Sequence, residues 1–165
     1  MKTIIITIVM LCMNLFAAPK VGDDAVGFSL PSLYNSSDVV TDKSRLGKVV
    51  LLNLWASWCS GCQEEMPRFV TLQKEYDKEQ FEILLVSIDN IPQSAQDFLE
   101  KVDKKKSLTS LYDEQKILPK TYRCPGMPSS YLIDKKGKIV EIYIGSLDEE
   151  SISDLNRKIK ILVGK

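Results

Sequence analysis

Two runs of the chain, 49–55 and 81–88, are apolar at nearly every position, the pattern of strands buried on both faces of a sheet. Between them the spacing turns helical. Over 60–76, Met66, Phe69, Val70 and Leu72 fall on one side and Glu64, Lys74 and Glu75 on the other, which predicts an amphipathic helix. Pro67 lies inside that span and predicts a kink, because proline removes a backbone donor and crowds the preceding turn. After the second strand, Pro92 opens another helix reaching about Val102, with Phe98 and Leu99 inward. A weaker strand over 108–112 and a short helix ending near Tyr122 follow. Residues 131–134 and 139–144 read as strands joined by a hairpin at Lys135-Lys136-Gly137-Lys138. The last element is a helix over 148–163, with Ile152, Leu155, Ile159 and Leu162 on one face.

Ahead of the first buried strand come a loop-like lead over 21–30, a second short strand over 36–41 and turn material over 42–48. Leaving aside the weaker strand and the short helix, the order is β-α-β-α-β-β-α with a small β extension in front. Alternation of strand and helix implies parallel strands, and the later hairpin adds an antiparallel pair. The expected class is therefore α/β, a central mixed sheet flanked by helices. No repeat or low-complexity linker divides it.

With 165 residues, 44% hydrophobic and 27% charged, the chain has enough material for one domain with a sizeable core. Lysine plus arginine and aspartate plus glutamate balance at 22 each, so the basic footprint of a nucleic-acid binder is missing. Histidine is absent, which removes the commonest general base and the commonest metal ligand. Residues 1–18 read as a signal peptide, or alternatively an uncleaved N-terminal anchor, and 19–165 as the folded domain. Lys2 precedes an apolar run over 4–16, and Ala17-Ala18 follow. That run is shorter than the roughly 20 residues a spanning helix needs. A cut after Ala17 sets Leu15 at the −3 position. Cys12 lacks the small neighbour a lipidated cysteine requires and reads as an apolar signal residue. Cys59, Cys62 and Cys124 then remain, an odd count that leaves at least one thiol unpaired.

Trp58-Cys59-Ser60-Gly61-Cys62 sits where the first buried strand hands over to its helix. Residues three apart in a helical turn bring their α-carbons to roughly 5–6 Å, inside the disulfide window of about 4.4–6.8 Å. The helix N-terminus offers free N–H groups and partial positive charge, which favour thiolate over thiol. The spacing thus predicts a reactive, partly exposed Cys59 and a shielded Cys62 that resolves the mixed disulfide. A zinc site lacks its second ligand pair, and c-type haem attachment lacks a histidine after Cys62. An inert structural disulfide fits poorly with a buried strand leading straight into the motif. No metal and no cofactor beyond the dithiol is called for.

The stretch VVLLNLWASWCSGCQEEMP over 49–67 resembles the thiol–disulfide oxidoreductases of the TlpA/ResA type in the thioredoxin superfamily. Gly126-Met127-Pro128 and the strand after it resemble that family's second hallmark, and Gly22-Asp23 to Phe28-Ser29-Leu30 its N-terminal element. The resemblance implies a thioredoxin-like fold. It makes Pro128 a cis-proline facing the cysteine pair, with the Met127 backbone and Trp58 at the substrate-binding surface, client segments adding as a strand. It also implies that Glu65 accepts protons for the pair, in a partly apolar site with a raised pKa. Asn53 stands where thioredoxins carry a titrating aspartate. It reads as a buried, hydrogen-bonded polar residue, which leaves proton handling to Glu65. Cys124 departs from the family's aliphatic residue. It reads either as a small buried hydrophobe or as a third thiol close enough to exchange with the pair.

These readings converge on an extracytoplasmic reductase of the bacterial periplasm, a monomer re-reduced by a membrane thiol reductant. Its clients would be disulfide-containing exported proteins, apocytochromes c among them. The competing classes are an oxidase or isomerase using the same pair in the other direction, a non-catalytic client-binding module, and a peroxidase. The last lacks a Thr-x-x-Cys at the strand–helix junction.

Overall fold

The computed structural model describes residues 17–164. Of the expected signal region only Ala17 and Ala18 fall among them. β3 (Val49–Trp55) and β4 (Phe81–Ser87) are buried at every position, as near-continuous apolar runs require. They pair in parallel, joined by helix α1 (Ser60–Gln73). β5 (Thr109–Tyr112) adds in parallel on the far side of β4, after helix α2 (Pro92–Val102). β6 (Ser129–Ile133) lies antiparallel against β3, and β7 (Ile139–Ile144) antiparallel against β6. The resulting five-stranded sheet has the order β5-β4-β3-β6-β7. It is a thioredoxin-like fold, mixed in the sense the sequence pattern implies.

The weaker strand is a full member of this sheet and forms one flank. It is short because only four residues span the gap between Leu108 and Asp113. Asp113 is buried and receives the backbone N–H groups of Ile117 and Leu118, at 3.0 and 2.8 Å, and so caps the short helix α3 (Ile117–Thr121). The stretch 42–48, expected as turn material, contains a 3-10 helix, Asp42–Arg45, capped by Thr41. α1 runs as one element through Pro67 and ends at Gln73. Past that point Lys74, Glu75 and Tyr76 bond back only three residues, a tightened last turn.

Two cores sandwich the sheet. One gathers Leu51, Trp55, Phe69, Phe81, Ile83 and Leu155 under α1, α2 and the last helix, α4 (Glu149–Val163). The other gathers Val50, Leu52, Leu84, Tyr122 and Tyr131 on the opposite face. Full burial of each such side chain stabilises by about 1.5–3 kcal/mol, so the two faces hold the sheet rigidly beneath the site. The N-terminal extension straps both ends. β1 (Ser29–Pro31) and β2 (Val39–Thr41) form a small antiparallel sheet. Leu33 N–H reaches the Ser110 carbonyl at 2.8 Å beside β5, while Ala25 N–H reaches the Gly137 carbonyl at 2.9 Å in the β6–β7 hairpin. Gly137 takes φ +83° there, a left-handed turn position suited to glycine.

Candidate active site

β3 delivers Ala56 to Cys59 to the edge of the sheet, and α1 begins at once. Cys59 is the N-cap of α1 and Cys62 lies in its first turn. The two are joined as a disulfide with their α-carbons 5.3 Å apart, inside the range the helical spacing predicts. The Cys62 N–H, one of the helix's unpaired N-terminal donors, points at the Cys59 sulfur at 3.3 Å. A donor already aimed at that sulfur stabilises negative charge there when the disulfide opens. Cys62 is fully buried. Cys59 is 8% exposed, less than the open position anticipated for it, and Trp58 beside it is 65% exposed. The exposed aromatic, rather than the sulfur, forms the outer surface of the motif.

The Met127–Pro128 bond is cis, and Pro128 is buried. A Cβ built on Gly61 would lie 3.3 Å from Pro128 Cδ and 3.4 Å from Ser146 Cβ. The loop before β6 and the loop after β7 therefore both close onto the middle of the Cys59–Cys62 turn. Met127 is half-buried and touches both cores.

Glu65 has no exposed surface. Its Oε1 accepts from Asn53 Nδ2 at 2.9 Å and its Oε2 from the Leu147 N–H at 3.0 Å. Burial pushes its carboxyl up to about 7, against the opposing pull of these two donors and of the nearby Arg68 charge. Asn53 is fully buried on β3. The same Nδ2 also donates to Ser130 Oγ at 2.9 Å, while Asn53 Oδ1 has no partner among the described residues. Cys124 is a free, half-buried thiol that donates to the Gly126 carbonyl at 2.8 Å and to Ser129 Oγ at 3.0 Å. It packs against the core of Tyr122 and Tyr131, across the sheet from the core that contains Cys59 and Cys62. Among the described residues no cluster of three or more potential ligands is placed to hold a metal.

Several neighbours of the site escaped the sequence reading. Ser130 and Leu147 complete the setting of Glu65, and Ser146 closes over Gly61. Asp89, at the end of β4, grips Ser57 just ahead of Trp58. Asp89 lies just past the second buried run, and its proximity to Ser57 depends on the β3–β4 pairing.

A helix launched from a buried parallel strand through a vicinal cysteine pair, with a cis-proline packed against its first turn, defines a thioredoxin-like thiol–disulfide oxidoreductase. The chain belongs to the Redoxin family, whose profile matches residues 20–159. It is similar to the thiol-disulfide oxidoreductase ResA of Bacillus cereus, with 31% identity over 85% of this chain and 79% of that protein. It is also similar to the thioredoxin-like protein YneN of Bacillus subtilis, with 30% identity over 79% of this chain and 75% of that one. Among solved structures, a putative thiol:disulfide interchange protein DsbE from Chlorobium tepidum superposes with a TM-score of 0.80 at 31% identity, covering 89% of this chain and all of that one. The chain is an enzyme of thiol–disulfide exchange acting on disulfide-containing proteins.

Proposed function

We propose that the protein reduces disulfides in exported client proteins, with Cys59 as the attacking thiol and Cys62 as the resolving one. The observation that carries the assignment of Cys59 as the attacking thiol is the Cys62 N–H aimed at its sulfur at the start of α1. The Cys59 thiolate attacks a client cystine, forming a mixed disulfide and releasing one client thiolate. Cys62 loses its proton and attacks Cys59, releasing the second client thiolate and restoring the Cys59–Cys62 disulfide. Two electrons pass to the client, whose thiolates take up two protons. Glu65, three residues beyond Cys62 on the same helix, accepts the Cys62 proton, and its raised pKa suits that exchange near neutral pH. Met127 and cis-Pro128 receive the client segment, and exposed Trp58 borders it.

The reading of residues 1–18 as an export signal supports an extracytoplasmic, periplasmic setting. No helix of the described residues is long and apolar enough to cross a membrane. In an oxidising compartment the spent disulfide requires an external thiol reductant at the membrane. Apocytochromes c are the client class proposed first, and Cys124 takes no part in the exchange. The test is a Cys62→Ala variant, which arrests the mixed disulfide on Cys59. Capture of apocytochromes supports cytochrome c maturation, a broad range of secreted proteins refutes that narrower role, and trapping through any cysteine other than Cys59 refutes the assignment of the attacking thiol.

A further inference from the structure

Asp89 is a buried carboxylate, 1% exposed, at the point where β4 leaves the sheet. Both of its oxygens accept and neither has a cationic partner among the described residues. The Ser57 N–H reaches Oδ2 at 3.0 Å and Oδ1 at 3.3 Å, the Ser57 hydroxyl reaches Oδ1 at 2.6 Å, and the Ser87 hydroxyl reaches Oδ2 at 2.9 Å. Ser57 precedes Cys59 by two residues, so its α-carbon lies within about 7 Å of that of Cys59. From the other side, the Gln63 side-chain amide in the first turn of α1 donates to the Ser57 carbonyl. The segment leading into Cys59 is thus held at both its N–H and its carbonyl, and one of the two holders is an anion. The phenol of Tyr112, on neighbouring β5, is raised above its usual range by burial first and then by the charges of Glu114 and Asp89.

We infer that Asp89 is a positioning residue for the dithiol, fixing the Ser57–Trp58–Cys59 turn through its hydrogen bonds while its charge, hydrogen-bonded by neutral donors with the Lys116 ammonium held on neighbouring Asn90, opposes the Cys59 thiolate and holds the pair on the reducing side. An anion behind a nascent thiolate raises the thiol's pKa, destabilises the reduced form and lowers the reduction potential. Glu65, the other buried acid of the site, is engaged by Asn53 and Leu147 and is untouched by the changes below.

This rests on Cys59 as the attacking thiol. Peptide mapping of the first thiol alkylated by iodoacetamide checks that separately: capture of Cys62 first would overturn the reading of the pair whatever Asp89 does. The role of Asp89 is tested by two variants with opposite expected signs, each equilibrated with glutathione after circular dichroism shows it folded. Asp89→Asn removes the charge, lowers the Cys59 pKa and shifts the equilibrium constant towards oxidising behaviour by about three- to tenfold, tenfold being about 30 mV. Ser87→Ala leaves the Ser57 tether but takes away one donor that moderates the charge, and shifts both readings the other way. A purely structural role moves both variants in the same direction or neither, and either result overturns the proposal. If Asp89→Asn does not fold, Ser87→Ala decides alone: a shift towards reducing behaviour supports the inference, and no shift or an oxidising one refutes it.

Discussion

Asn53 Nδ2 donates to Glu65 Oε1 at 2.9 Å, and neither residue has any exposed surface. A side chain that cannot titrate thus holds one that does. Burial raises the Glu65 carboxyl from 4.5 to about 7. Between those values the folded chain retains a proton that the unfolded chain has released. The associated stability is therefore complete below pH 4.5 and is lost as pH rises through 7. At about 1.4 kcal/mol per pKa unit, the loss is on the order of 3 kcal/mol.

Glu65→Gln removes this titration. Urea denaturation at pH 5 and pH 8 should show the variant gaining about 1–3 kcal/mol relative to the native chain at the higher pH. Asn53 Oδ1 is free of partners among the described residues, so a rotated amide gives the new side chain an acceptor. In the same variant, client reduction should lose its inflection near neutral pH. An unchanged pH slope of stability would contradict the raised pKa.

Gly61→Ala sets a methyl group 3.3 Å from Pro128 Cδ, tighter than ordinary packing. Alanine favours the helix over glycine by up to about 1 kcal/mol, so thermal stability should change little. The displaced Pro128 loop should instead raise the KM for a disulfide-bonded peptide by roughly three- to tenfold, with the Cys59 pKa unchanged. Steady-state kinetics separates the two, and an unchanged KM would detach Pro128 from client binding.

Cys124 spends its thiol proton between Gly126 and Ser129 and packs against the core across the sheet from the disulfide. Oxidised protein should show slow alkylation of Cys124 until denatured. Cys124→Ala should keep client turnover within about twofold and cost about 1 kcal/mol of stability, the order of a small buried group lost. Detection of Cys124 in a disulfide with either cysteine of the pair would reverse this.

Much of the site was legible in the letters because its chemistry is local. A strand buried on both faces leads into residues with helical spacing, so Cys59 and Cys62 had to meet in one turn. Glu65 follows at helical spacing from Cys62, and Gly126-Met127-Pro128 carried a resemblance of its own. What stayed hidden depends on pairing between distant segments. Ser146 closes on Gly61 from the loop after β7, and its letter carries no sign of that approach. Asp89 meets Ser57 only because β3 and β4 align Trp55 with Ser87. β5 read weakly because four residues give periodicity little to show. Its place in the sheet is set by pairing with β4 and by the Ser32–Leu111 bridge from the N-terminal extension.

The most direct test of the reductase reading is the reduction potential of the Cys59–Cys62 pair, measured by equilibration with defined glutathione or dithiothreitol ratios. A dithiol built to reduce clients should lie near the thioredoxin value of about −270 mV. A value near about −120 mV, the range of a strong oxidant, would contradict the reductase reading and assign the same two cysteines to disulfide formation.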